Sequence, residues 1–149
     1  MKNLFITLFL IIIFSTKAYA TNWVQVDKYN FIDTDSISTY VDDNGKTQRS
    51  KKSCLIKRIN TDGFFNDIEK KLNIQIDSDI TLVIFDFKLN KIARKAHNCY
   101  DSKGNTVYSY TYKNDELIWN DIEEGSQASY WAYLIKQKKL FKKAPAKTK

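Results

Sequence analysis

The sequence predicts an α+β fold: an antiparallel β-sheet meander with one inserted helix and a C-terminal helix packed on the sheet. Three observations carry that expectation. The stretch ITLVIFDFKLN, residues 80–90, is β-branched and aromatic and alternates toward its end, as a strand does. TVYSYTY, residues 106–112, alternates throughout. Turn-forming pairs such as Asn44-Gly45 separate such runs at short intervals.

Taken in order, residues 1–20 form a leader. Lys2 is a short basic start, Leu4–Phe14 an apolar run, and Ala18-Tyr19-Ala20 a small-x-small cleavage signal, the layout of a secretory signal peptide. The run is shorter than the roughly 20 residues that span a bilayer. An uncleaved anchor or a buried helix is the competing reading. Thr21 is the expected mature N-terminus, and the product is expected to be exported to the periplasm, the cell surface or the medium, with no transmembrane helix after cleavage.

NWVQVD and YNFIDTDS open the domain as two short strands, with Asp33-Thr34-Asp35-Ser36 offering caps for one helical turn near Ser36 and Ile37. STYVDDNGKTQ reads as a hairpin with a type I′ turn at Asn44-Gly45. Its acids lack the spacing and the closing glutamate of an EF-hand loop. Residues 47–60 continue as a long strand. NTDGFFNDIEKKLN places Phe64, Phe65, Ile68 and Leu72 at helical spacing, with Asp62 as a candidate cap. The apolar strand at residues 80–90 leads through Leu89-Asn90-Lys91 into KIARKAHNCYD, and Ser102-Lys103-Gly104-Asn105 turns into TVYSYTY. There Tyr108, Tyr110 and Tyr112 share one face, a candidate binding surface, although an aromatic face covered by a helix is the commoner case. SQASYWAYLIKQKKLFKK supplies such a helix: Ser126 is its cap, and Tyr130, Trp131, Leu134 and Ile135 lie on one side with Leu140 or Phe141.

The charge is segregated. The chain carries a formal +7, yet residues 136–149 (KQKKLFKKAPAKTK) hold seven lysines and no acid. Removing these and the two leader lysines leaves residues 21–135 at −2. A nucleic-acid-binding domain is basic over a face rather than at one end, so no nucleic acid is expected. Lys136, Lys138, Lys139, Lys142 and Lys143 are candidate contacts for anionic surfaces, and residues 143–149 are expected to be a flexible basic tail.

Two cysteines in an exported domain usually pair. A Cys54–Cys99 disulfide is the expectation, with two unpaired thiols as the alternative. The only histidine, His97, lies two residues before Cys99. A nucleophile would need that imidazole against the sulfur and a third group to orient it, and zinc would need a fourth ligand beyond two cysteines and one histidine. Hence no metal ligands, catalytic residues or cofactors are expected. Paired acids (Asp33 and Asp35, Asp42 and Asp43, Glu123 and Glu124) sit in turn or cap contexts, and no GxSxG motif occurs.

Several segments together resemble the bacterial surface-adhesin protein E-like family. They are the opening WVQVD, YNFIDTDSI, the hairpin YVDDNGKTQ, and YDSKGNTVYSYTYKNDELIWNDIEEGS with the short helix that follows. The resemblance runs from Trp23 to Ile135 and implies one surface-adhesin E-like domain, residues 21–142. It further implies an exported, non-catalytic binding module able to form a homodimer and to contact host extracellular-matrix or serum proteins. The family's C-terminal helix typically ends in a cysteine bridged to the sheet, and residues 126–142 contain none. A periplasmic inhibitor or assembly accessory is the alternative function, and a small secreted hydrolase the remote one.

Overall fold

A computed structural model describes residues 22–61 and 63–137. The leader, Asp62, Leu140, Phe141, Lys138, Lys139, Lys142, Lys143 and the basic tail lie outside the described residues. Six strands follow one another across a single antiparallel sheet: β1 (Trp23–Gln25), β2 (Asn30–Val41), β3 (Thr47–Ile59), β4 (Ser78–Asp86), β5 (Lys91–Tyr100) and β6 (Thr106–Thr111). A short β7 (Asn120–Asp121) pairs with β5 beyond the end of β6. Helix α1 (Asn66–Leu72) joins β3 to β4, and α2 (Gln127–Lys136) closes the described chain. The fold is thus broadly α+β and mostly sheet.

The β2–β3 and β5–β6 hairpin turns share one design. At each, an aspartate opens the turn, and the glycine three residues later donates to its carbonyl: Gly45 to Asp42 at 2.9 Å, Gly104 to Asp101 at 3.0 Å. Only the glycines have positive φ there, 75° and 82°. A type I′ turn would need Asn44 at positive φ as well, so that expectation is corrected to a type I turn followed by a left-handed glycine. The aspartate carboxylates drive the choice by capping the turn. Asp42 Oδ1 accepts from the N–H groups of Asn44 and Lys46, and Asp101 Oδ1 from those of Lys103 and Asn105. These bonds hold both carboxyls below the usual aspartate range, led by the backbone bond from Lys46 at Asp42 and by the Asn105 side chain at Asp101.

No helical turn forms at Ser36. The extra residues of β2 are taken up as a bulge between Asp33 and Ser38. Ser36 Oγ donates to the Asp33 carbonyl at 2.6 Å and accepts from the Leu55 N–H at 2.8 Å, so its hydroxyl replaces a ladder bond. Helix α1 has Phe65 as its N-cap residue, with no side-chain cap bond. Ser126 does cap α2, accepting from the Ser129 N–H at 3.2 Å.

The larger core lies between α2 and one sheet face, where Ala132, Leu134 and Ile135 join Ile32, Cys54, Ile56, Val83 and Phe85. Tyr130 and Tyr133 point outward. The closing helix therefore covers β2–β4, where the branched and aromatic residues face it, and not the tyrosines of β6. A second cluster, Phe65, Ile76 and Cys99 with Val107 and Tyr108 packed on it, fills the far end under α1.

The expected disulfide is absent, for a topological reason. Cys54 opposes Val83 and Cys99 opposes Asp79, so β4 stands between the two cysteines and they sit four residues apart along it. Two strand spacings of ~4.8 Å and four rises of ~3.4 Å separate them by on the order of 16 Å. A bridge needs Cα atoms within about 7 Å. Both thiols are buried and neither forms a disulfide.

Candidate functional site

Cross-strand partners share a sheet face, and the registers build two polar rows. Arg58, Asp79 and Cys99 line up across β3, β4 and β5, as do Ile56, Thr81 and His97. Further along β5, Ile92 opposes Phe85 and Arg94 opposes Val83. Simple alternation would carry that face on through Ala96 and Asn98. One extra residue between Arg94 and Ala96 reverses the parity, so His97 and Cys99 join Ile92 and Arg94. Re-aiming side chains is a recurrent use of a bulge.

The same bulge frees Lys95. Its ammonium is buried, 2.7 and 2.8 Å from the two carboxylate oxygens of Asp43, and it donates to the Tyr112 carbonyl at 2.6 Å. The Asn114 N–H also donates to Asp43 Oδ2, and the Asn114 side-chain amide lies 2.9 Å from the Tyr40 hydroxyl. With its NH2 turned toward Asp43 Oδ2 and Tyr40, that amide accepts from the Asp43 N–H at 3.1 Å. Burial, followed by the charges of Asp43 and Asp42, pushes the Tyr40 hydroxyl up. This network clamps the β2–β3 hairpin onto the segment after β6.

Between the two helices the sheet face stays open. A cleft of about 380 Å³ has Ile56, Thr81, Val83 and Ile92 in its floor, Trp131 of α2 at one side, and Phe64 and Phe65 at the other. Ile118 and Tyr112 complete the rim, and Arg58, Asp79, Arg94 and Asn120 supply polar atoms. Phe64 and Ile118 are 58% and 73% exposed, although both are large and apolar. Arg58 stacks on the rings of Phe64 (4.1 Å) and Tyr29 (5.5 Å), steadying that wall.

Beside the cleft, which Asp79 lines, the buried Asp79, His97 and Cys99 bring one carboxylate oxygen, one imidazole nitrogen and one sulfur within 4.8 Å of one another. Thr81 Oγ1 donates to Asp79 Oδ1 at 2.7 Å. Asp79 Oδ2 lies 3.7 Å from His97 Nδ1, too far for a hydrogen bond. Burial first, then the Asp79 charge, pushes the Cys99 thiol up to about 11. That is a protonated thiol at neutral pH, the reverse of an activated nucleophile.

Of the residues the sequence proposes, Tyr108 covers the Cys99 cluster and meets His97 edge-on at 5.3 Å between ring centres. Tyr112 lines the cleft, and Tyr110 is exposed, 4.7 Å from Tyr112. Lys136 sits with its ammonium 5.1 Å from the centre of the Phe87 ring. Asp79 escaped notice in the sequence. Its signal was an acid inside the apolar strand SDITLVIFD, where aspartate is disfavoured.

By sequence, no family model and no curated protein matches this chain. The architecture does match solved structures. A crystal form of Haemophilus influenzae protein E aligns with a TM-score of 0.51 over 81% of this chain and 89% of that one, at 14% identity. The chain has a protein E-like fold. A second structure, protein E from non-typeable Haemophilus influenzae, aligns at 0.49 and 13% identity, over 81% of this chain and 77% of that one. At such identity the protein E-like fold carries over and individual residues do not. Among the described residues no helix is long and apolar enough to cross a membrane.

Proposed function

We propose that this chain is an exported, non-catalytic binding module of adhesin-like type, related to the surface-adhesin protein E-like family, with the cleft as its contact surface. The observation that carries this reading is the pair of large apolar side chains, Phe64 and Ile118, held out at the rim of an apolar-floored cleft. Preformed concave sites with a few placed polar groups are where ligands bind. Arg58 and Arg94 flank the floor, so the best-fitting partner segment is an apolar or aromatic side chain beside an acidic one. Protein partners of matrix or serum type fit this chemistry, and the protein E-like fold favours them.

The test is binding of the full chain to a panel of purified matrix and serum proteins, comparing wild type with Ile118→Asp and Phe64→Asp. Burying a side chain of this size is worth about 1.5–3 kcal/mol, so each substitution is expected to weaken binding by at least tenfold. Unchanged binding in both variants would remove the cleft from the reading. Protease shaving of intact cells separates the surface-displayed module from a periplasmic inhibitor or accessory, which the protease would not reach.

A further inference from the structure

We propose that Asp79, His97 and Cys99 form a binding site for one divalent transition-metal ion of the zinc class, held by a carboxylate oxygen, an imidazole nitrogen and a thiolate sulfur. The site does not depend on what the cleft binds. All three residues are buried, Asp79 and His97 at 5% exposure each and Cys99 at 0%. Asp79 Oδ2 has no hydrogen-bond partner, an uncommon state for a buried polar atom and one that an ion shared with His97 Nδ1 relieves.

Geometry and donor chemistry agree. Zinc bonds of about 2.0–2.3 Å in a tetrahedron place donor atoms roughly 3.3–3.8 Å apart. The edge from Asp79 Oδ2 to His97 Nδ1 is already 3.7 Å, and the 4.8 Å outer limit of the cluster closes with side-chain shifts of about 1 Å. Calcium and magnesium demand oxygen donors, whereas sulfur and imidazole together select zinc, cobalt and their neighbours. Thiolate and carboxylate charges together neutralise the dication. The Cys99 proton leaves to solvent as the sulfur–metal bond forms.

The surroundings have the features of an outer shell. Thr81 Oγ1 fixes one Asp79 oxygen and turns the other toward the imidazole. Tyr108 packs edge-on to His97, and the Tyr112 ring lies 6.2 Å away, limiting rotation of the imidazole. Of the three, Asp79 lines the cleft, so the cleft is the side from which an ion approaches, and three protein donors leave a fourth coordination position for water or a donor atom of a bound ligand.

The experiment uses the untagged full chain, stripped of metal with a chelator and titrated with cobalt(II). The expected result is one cobalt per chain, with visible bands of tetrahedral cobalt and an intense sulfur-to-cobalt charge-transfer band, both lost on adding zinc. Cys99→Ser is expected to abolish the charge-transfer band, and Cys54→Ser to keep it. His97→Gln and Asp79→Asn are each expected to weaken cobalt binding by more than about a hundredfold, the most that a change outside the coordinating shell costs. X-ray absorption of the zinc-loaded wild-type chain needs no variant and should show one sulfur neighbour. Absence of the charge-transfer band at equimolar cobalt, its survival in Cys99→Ser, or a zinc shell without sulfur would each overturn the proposal and leave a plain Asp79–His97 structural pair.

Discussion

Lys95→Met removes one of the few charges this sheet buries while keeping nearly the same volume. The Lys95 side chain is 8% exposed and sits between the Asp43 carboxylate and the Tyr112 carbonyl. Breaking a fully buried ion pair costs about 3–5 kcal/mol, but the Asp43 side chain is 44% exposed, so its orphaned carboxylate rehydrates. Discounted for that, the pair contributes about 1 kcal/mol. The charged bond to the Tyr112 carbonyl adds about 1–2 kcal/mol. The expected loss is therefore about 2–3 kcal/mol, or a fall in Tm of roughly 6–15 °C for a domain of this size. Thermal or urea unfolding of Lys95→Met, Asp43→Asn and the double variant measures it, with a coupling between the two sites of about 1 kcal/mol. The reasoning fails if Lys95→Met costs less than about 0.5 kcal/mol, or if Asp43→Asn costs the same in both backgrounds.

Other outcomes follow from the same structure. A reductant, with chelator present in both arms, should leave Tm unchanged; a Cys54–Cys99 bridge would contribute about 4 kcal/mol, and its loss would lower Tm by more than about 10 °C. Phe85→Ala, at a side chain with no exposure, should destabilise by about 3–5 kcal/mol in urea unfolding. Acid should erode the two hairpin turns. The Asp42 and Asp101 carboxyls are depressed in the folded chain, so their contribution is complete above the ordinary value of 3.8 and vanishes as pH falls through the folded values. Replacing both by alanine should lower Tm at neutral pH and flatten its decline in acid, as read by melting curves from pH 7 downward.

The meander was legible because β3, β4, β5 and β6 each announce themselves by alternation or β-branched runs, and because aspartate and glycine mark the turns between them. Ser126 was legible for a local reason too, since a cap needs only its own helix. What escaped were consequences of register. A one-residue bulge at Lys95 decides which face His97 and Cys99 occupy, and nothing in KIARKAHNCYD encodes it. The disulfide expectation failed on the same ground, because sequence shows how many cysteines there are and not that β4 lies between them. Asp33–Ser36 looked like a helical turn because the hydrogen bonds that cap a helix also stabilise a bulge.

The order of the sheet also has a kinetic consequence. Each strand from β1 to β6 pairs with its neighbour in the chain, and four of the five junctions are short: residues 26–29, 42–46, 87–90 and 101–105. Such hairpins close in microseconds. The fifth junction, residues 60–77 with α1 inside it, is roughly four times longer, which adds only about 1.2 kcal/mol of closure entropy. Yet it must close before β3 and β4 form their nine-pair ladder in the middle of the sheet. Two preformed halves, β1–β3 and β4–β6, then meet along one seam. Shortening residues 60–77 is therefore expected to speed folding more than shortening any of the four tight junctions, as stopped-flow refolding would show.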